Sequence, residues 1–398
     1  MASVTLEGLP AELIEAIVSC LDFQDICALR LTTRTVSFKS TNATFRTYFS
    51  SKKLQITPAS LEQFVRVTQP GQLGLWLQQL TLYDFLDQTI GQTRTEDPDD
   101  TLQLSQLLAQ GMENIRDRAP HGGRLSISLQ IQGSDPAGLL YADREATTKL
   151  FHVVMSALGS TGLPIQSLDL FADAYDHHHG SWCSLGFSEI TTALSRGTAG
   201  LSTSLRQCKK LCLSMGHCLR GFDFDTETRL PLTYDEARQN TRSLCDLLNL
   251  CPTLEELHLV WEYDDVEETS AVVEELLFFN RIAEVCEFLI LKKCTLKRIR
   301  ASETGVLSFF RKIPGLVYLS IDGMDLYGEG RFDCLLELLS TAMPQLDSLR
   351  LRGLISELGT VEFPEEPRKN WWKEKSHPFY GIMRRGPDAR RPVVGRIG

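Results

Sequence analysis

Six times between residues 165 and 351 the chain repeats one short pattern, apolar-x-x-apolar-x-apolar. The instances are Ile165/Leu168/Leu170, Cys208/Leu211/Leu213, Leu254/Leu257/Leu259, Cys286/Leu289/Leu291, Leu316/Leu319/Ile321 and Leu346/Leu349/Leu351. The Leu-x-Leu step has the period of a strand with one face buried. The stretches between have helical period: 233–236 (TYDE) reads as a capping box ahead of Leu247, Leu248 and Leu250, and 272–285 and 332–343 are amphipathic. Strands alternating with helices imply parallel strands, because a parallel neighbour is reached only through a crossover. The middle apolar residues lie 43, 46, 32, 30 and 30 residues apart, so the last three strands recur at a fixed interval and insertions interrupt the first half. Two architectures satisfy this pattern: a solenoid of stacked strand–helix units, or an ordinary α/β domain with a parallel sheet.

In a solenoid the repeated leucines face the helices, and the residues beside them face outward, about 4.8 Å from strand to strand. On that face Phe171, Phe288, Ile290 and Tyr318 are candidate apolar anchors, and His258, Ser320, Arg350 and Arg352 are candidate polar contacts. Mixed charge with aromatic anchors suits a protein ligand.

Charge supports that expectation. The net charge is −10, but 368–398 hold nine Lys/Arg against two Asp/Glu, a tail of +7 that leaves −17 for the other 367 residues. A body of that sign repels phosphate backbones, so nucleic acid is not an expected partner. No apolar run approaches the 18 residues that cross a bilayer, and Glu7, Glu12 and Glu15 do not fit a secretory signal, so neither a membrane nor export is expected. Eleven cysteines, an odd number scattered along 398 residues, fit reduced thiols in the cytoplasm or nucleus better than a disulfide framework.

The N-terminal segment 9–21 (LPAELIEAIVSCL) sets Leu13, Ile14, Ile17, Val18 and Leu21 in a stripe of helical period, with Pro10 suited to the first turn and Glu12 and Glu15 near the positive end of the dipole. Asp22 and Asp25 open a second amphipathic segment with Ile26, Leu29 and Leu31 facing one way, and a third piece runs through Val36, Phe38, Phe45 and Phe49. Three short helices in about 45 residues are near the lower limit for an independent core and need a neighbour or a partner.

These residues carry a resemblance. Leu9-Pro10, Glu12, Ile17, Leu21, Asp25-Ile26 and Leu29-Arg30-Leu31, in that order and spacing, resemble the F-box, the linker-binding motif of ubiquitin-ligase substrate receptors. The continuation through Thr32, Arg34, Phe45, Tyr48-Phe49 and 54–64 looks like the form common in fungal F-box proteins, with Phe45 and Phe49 near the place where many members carry tryptophan. The repeat, best over 254–351, resembles the irregular leucine-rich-repeat solenoid that often follows an F-box. The expected fold is therefore α/β: a small three-helix F-box at 1–50, a helical connector with an acidic loop at 51–120, a leucine-rich-repeat-like solenoid with parallel strands at 121–363, and a basic, largely disordered tail at 364–398. Within that tail Trp371-Trp372 reads as a cap docking back on the solenoid.

The resemblance implies a non-catalytic adaptor of a Skp-cullin-F-box ubiquitin ligase, needing no cofactor. Leu9, Pro10, Ile14, Ile17, Leu21, Ile26 and Leu29 would bind a Skp-type linker and through it a cullin, and the repeat face would bind a target protein. The alternative is an F-box scaffold that does not drive ubiquitination.

Other constellations are weaker. Asp173, Asp176, His177, His178 and His179 offer a zinc or iron ligand set and hence a metal-dependent hydrolase, but three consecutive histidines cannot all face one ion from a regular element. Cys208, Cys212, His217 and Cys218 form a second set, in which Cys208 takes the place of a buried leucine. No phosphate loop, dinucleotide fingerprint, nucleophile elbow or His-Glu-x-x-His is present. Arg384-Arg385 and Arg390-Arg391 read as solvated charge.

Overall fold

The computed structural model describes residues 5–41, 43–85, 98–118, 124–132, 140–172, 184–216, 222–223, 228–229, 232–262, 269–363 and 381–397. The stripe of the first segment folds as α1 (Ala11–Val18), followed by α2 (Phe23–Thr32), α3 (Arg34–Lys39) and α4 (Ala43–Thr47). The Asp22 carboxylate caps α2 by accepting from the Asp25 N–H at 2.8 Å, and the Thr33 hydroxyl caps α3 by accepting from the Val36 N–H at 3.1 Å. The piece read as one third helix is thus two. The Ser40 and Thr41 hydroxyls donate back to the Ser37 carbonyl, at 3.2 and 2.7 Å, competing with the helical ladder where α3 stops.

Ile14, Val18, Ile26 and Phe45 form this module's core, with Leu9, Leu21, Leu29 and Phe49 packed on it. Polar staples close it. Glu15 Oε1 accepts from the Thr44 N–H and hydroxyl at 2.8 and 2.7 Å, and Lys39 Nζ donates to the Glu7 and Leu9 carbonyls at 2.7 Å each. The Arg46 guanidinium lies 3.7 Å from the Trp76 ring centre and ties the module to the chain beyond it.

Strands and helices then alternate: β1 (Ser51–Gln55), α5 (Pro58–Val67), β2 (Gln79–Phe85), α6 (Pro98–Arg118), β3 (Leu125–Gln132), α7 (Leu140–Thr161), β4 (Ile165–Leu170), α8 (Phe187–Leu205) and β5 (Lys210–Gly216). A two-residue pair, β6 (Phe222–Asp223) with β7 (Thr228–Arg229), precedes α9 (Tyr234–Asn249) and β8 (Glu256–Glu262). Next come α10 (Ser270–Leu276), α11 (Phe278–Val285), β9 (Lys293–Lys297), β10 (Arg300–Ala301), α12 (Glu303–Arg311), β11 (Tyr318–Leu326), α13 (Asp333–Thr341) and β12 (Ser348–Ser356). The chain closes with β13 (Gly359–Glu362), β14 (Gly381–Arg385) and β15 (Arg396–Ile397). The capping box at α9 is present: the Thr233 hydroxyl accepts from the Glu236 N–H while Glu236 accepts from the Thr233 N–H.

Most of the sheet is parallel, in the order β1-β2-β3-β4-β5-β8-β9-β11-β12, with β13, β14 and β15 added antiparallel at one end. Each new strand joins the same edge. Because β-crossover-β connections are right-handed, the crossover helices then fall on one face, and α5 to α13 do pack in sequence as a row. Leu80, Ile127, Leu168, Leu211, Leu257, Cys294, Leu319 and Leu349 share one register line and point into that helical layer, where they join a single continuous core. The protein is therefore mixed α/β with a mostly parallel sheet.

The structure corrects three expectations. The fourth repeat is Leu291/Cys294/Leu296, five residues later than Cys286/Leu289/Leu291, because Val285 ends α11 and 288–291 form the turn into β9. Leu289 is accordingly 83% exposed, and the fixed interval of 30 becomes 37, 25 and 30. The stretch 51–120, read as a helical connector, contributes β1 and β2 to the sheet as well as α5 and α6. The tail is ordered over 381–397: β14 pairs with β12, and Ile382, Ala389 and Val393 join the core. Trp371, Trp372 and 93–97 of the acidic loop lie outside the described residues.

A further regularity shapes the strand ends. Arg298, Gly323 and Gly353 occupy the same register place, two residues after Leu296, Ile321 and Leu351, and all are left-handed, with φ of 56°, 78° and 61°. The turn at each returns the next residue to the core, so that Ile299, Met324 and Leu354 are fully buried.

Candidate functional site

Two surfaces stand out. On the helical module, α1 carries two i,i+4 pairs. Ile14 and Val18 point inward with no exposure, while Leu13 and Ile17 point outward at 52% and 36%. Leu31 on α2 and Phe38 on α3 are more exposed still, at 86% and 84%. Covering one such side chain is worth about 1.5–3 kcal/mol, so an apolar partner has much to gain here.

The sequence-derived linker residues divide accordingly. Ile14 and Ile26 belong to the module's own core and cannot contact a partner without unfolding it. Leu9, Leu21 and Leu29 are half-buried against that core, and Pro10 and Ile17 are exposed. Leu13, Leu31 and Phe38, which the expected linker set leaves out, are exposed too. Leu31 was expected on the face of Ile26, but five residues along a helix is a rotation of about 140° at 3.6 residues per turn, which turns it outward.

The second surface is the sheet face away from the helices. Register puts Asp169, Cys212, His258, Thr295, Ser320, Arg350 and Met383 in one row across seven strands, so three of the expected target contacts, His258, Ser320 and Arg350, are aligned. One row toward the strand starts lies Tyr318, between Lys293 and Ser348, and one row the other way lies Arg352, whose Nε is 3.6 Å from Asp322. Ser320, Asp169 and Cys212 are buried, as are Ser214, Val260 and Glu262 further along the same face of β5 and β8, so this face is accessible at the strand starts and toward β12.

Phe171, Phe288 and Ile290 do not belong to that face. Phe171, with φ of 66°, leaves the strand alternation and enters the main core at 1% exposure. The Asp169 carboxylate holds that turn by accepting from the Ala172 N–H at 2.9 Å, and Ala172 packs instead with Cys212 and Val260. Phe288 is a core residue stacked edge-on to Phe309, and Ile290 sits in the turn before β9.

At the amino-terminal edge of the open face runs a groove of about 560 Å³ lined by the starts of β2, β3, β4, β5 and β8, from Gln78 and Arg124 to Lys209, Lys210, Glu255 and Glu256. Glu255 sits between Lys209 Nζ at 2.7 Å and Lys292 Nζ at 2.8 Å, and Lys293 Nζ is 2.5 Å from Glu256. The hydrogen bond from Lys209, then that from Lys292, pulls the Glu255 carboxyl down to about 2.

Three buried thiols are poor nucleophiles: Cys208 pushes the Cys251 thiol up, Cys245 does the same to Cys286, and burial raises Cys294. Among the described residues no three His, Cys, Asp or Glu side chains are grouped to hold a metal. Asp173, Asp176, His177, His178, His179, His217 and Cys218 lie outside those residues. Also among them, no helix is long and apolar enough to cross a membrane. No family model matches the chain, and no curated protein matches it.

Proposed function

We propose that the chain is a substrate receptor of a cullin-type ubiquitin ligase, with α1 to α4 acting as an F-box that binds a Skp-type linker and the open face of a leucine-rich-repeat-like sheet holding the target. The observation that carries the reading is the outward apolar set Leu13, Ile17, Leu31 and Phe38 on a module that, among its described residues, buries only five apolar side chains, Ile14, Val18, Ile26, Val36 and Phe45. So small a core gains from a partner, and those side chains offer one a hydrophobic contact. The one-faced helical layer supports the other half, since it leaves part of the opposite sheet face, with half-buried Tyr318, Arg350 and Arg352, for a ligand. The catalytic contribution of such a receptor is proximity: it raises the effective concentration of a target lysine near a separate conjugating enzyme.

Co-expression with a Skp-type linker and affinity purification of the full chain tests this. The wild type should retain linker stoichiometrically. Leu13→Asp/Ile17→Asp, which leaves Ile14 and Val18 in place, should lose it with an unchanged far-UV circular dichroism spectrum. A folded wild type that captures no linker would overturn the proposal.

A further inference from the structure

Outside its last 31 residues the chain carries −17, yet cations collect at one edge of the open face. Arg124, Lys209, Lys210, Lys292, Lys293 and Arg385 stand there against Glu255, Glu256 and Asp347. Register places Lys210, Glu256, Lys293, Tyr318, Ser348 and Arg385 in a single row on consecutive strands. With strands about 4.8 Å apart, Lys210 and Lys293 are separated by roughly 9.6 Å, and Lys293 and Arg385 by roughly 14.4 Å. A chain crossing the strands in extended form advances about 3.3 Å per residue and turns every second side chain to the same side, so its residues i and i+4, about 13.2 Å apart on one side, match Lys293 and Arg385 to within about 1.2 Å.

The edge is braced for this. Glu255 and Glu256 tie down Lys209, Lys292 and Lys293, which fixes their ammonium groups along the edge at little further entropic cost. Half-buried Tyr318, between Lys293 and Arg385 in the row, offers an aromatic contact for the residues between the acids. A nucleic acid fits less well. Its phosphates, one per about 1.7 Å of duplex, would also face Glu255 and Glu256, whereas a peptide can set neutral residues there.

We propose that the amino-terminal edge of the open face binds an extended acidic segment of a partner protein, with carboxylates spaced i and i+4 opposite Lys293 and Arg385. The proposal rests on the target-holding half of the function above and does not need the linker to be bound.

Fluorescence anisotropy with the full-length chain and a labelled Ser/Ala peptide bearing Asp at i and i+4 tests it. Binding should saturate and weaken with salt. It should fall about tenfold or more in Lys293→Glu/Arg385→Glu and return when both Asp of the peptide become Lys. Far-UV circular dichroism checks that the variant is folded. No saturable binding, equal binding to a peptide with the two Asp adjacent, equal binding by the variant, or tighter binding of an oligothymidine would each overturn the proposal. Peptide binding without linker capture would refute the linker half of the receptor reading alone, and linker capture without peptide binding would refute this inference alone.

Discussion

Replacing Gly200 by alanine should destabilise the protein, although the same change in an ordinary helix would strengthen it. Gly200 lies in α8, where an added Cβ would stand 1.6 Å from the Gly159 carbonyl oxygen and 2.6 Å from its carbon, against the 3.4 Å at which ordinary contact begins. The obstacle is backbone, not a side chain that can swing away, so α7 and α8 would have to part by about 1.8 Å. Such overpacking costs about 1–3 kcal/mol. Separation would also stretch the bond from the Ser204 hydroxyl to the Leu158 carbonyl, now 3.0 Å and buried, worth about 1 kcal/mol. Against these stands the helix propensity gained by alanine, about 1 kcal/mol. The net expectation is a loss of about 2 kcal/mol. Gly159→Ala is the paired control: its Cβ would meet the Gly197 carbonyl at 3.4 Å and Leu201 at 3.6 Å, which is ordinary contact, so it should be neutral or gain up to about 1 kcal/mol. Urea unfolding followed by circular dichroism separates the two. A Gly200→Ala protein as stable as the wild type, or a Gly159→Ala protein losing as much, would refute the close helix contact.

Three other perturbations have definite expected outcomes. Gly353→Ala forces a side chain into a left-handed position 3.3 Å from the Gly323 nitrogen and should cost about 1–2 kcal/mol, while Gly315→Ala, facing only Gln345 at 3.9 Å, should cost much less of that in the same unfolding assay. Truncation before residue 381 removes Ile382 and Val393 from the core and uncovers the β12 edge; a loss of about 4 kcal/mol and a rise in light scattering are expected, where a disordered tail would give neither. The Glu255 carboxyl, lowered from 4.5 to about 2, should stay ionised through mild acid, so its pairing holds above pH 4.5 and is lost only as pH falls through about 2. Carboxyl-carbon NMR should show this, and Lys209→Met/Lys292→Met should move the midpoint upward.

Local periodicity carried much of the architecture and little of its facing. The strands at Leu168, Leu211, Leu257, Leu319 and Leu349 were legible because their leucines alternate against polar neighbours. The fourth was not, because Leu289 and Leu291 imitate the pattern in a turn while the true strand hides a cysteine, Cys294, behind Lys292 and Lys293. In α1 the pairs Leu13/Ile17 and Ile14/Val18 have equal spacing, and only packing against Phe45 shows which is inside. Phe171 alternates correctly for the open face, and its positive φ, which sends it into the core, has no local signal. The 381–397 segment has the composition of a disordered chain, and its order comes from a distant strand edge. The basic row was invisible for the same reason: Lys210, Lys293 and Arg385 are separated by 83 and 92 residues, and register alone aligns them.

The receptor reading is tested most directly by amide hydrogen exchange of the full-length chain with and without a saturating Skp-type linker. Slowed exchange confined to residues 11–39, which span α1 to α3 and carry Leu13, Ile17, Leu31 and Phe38, is the expected result. Unchanged exchange throughout that segment, or protection only on the sheet, would contradict the proposal that the helical module holds the linker.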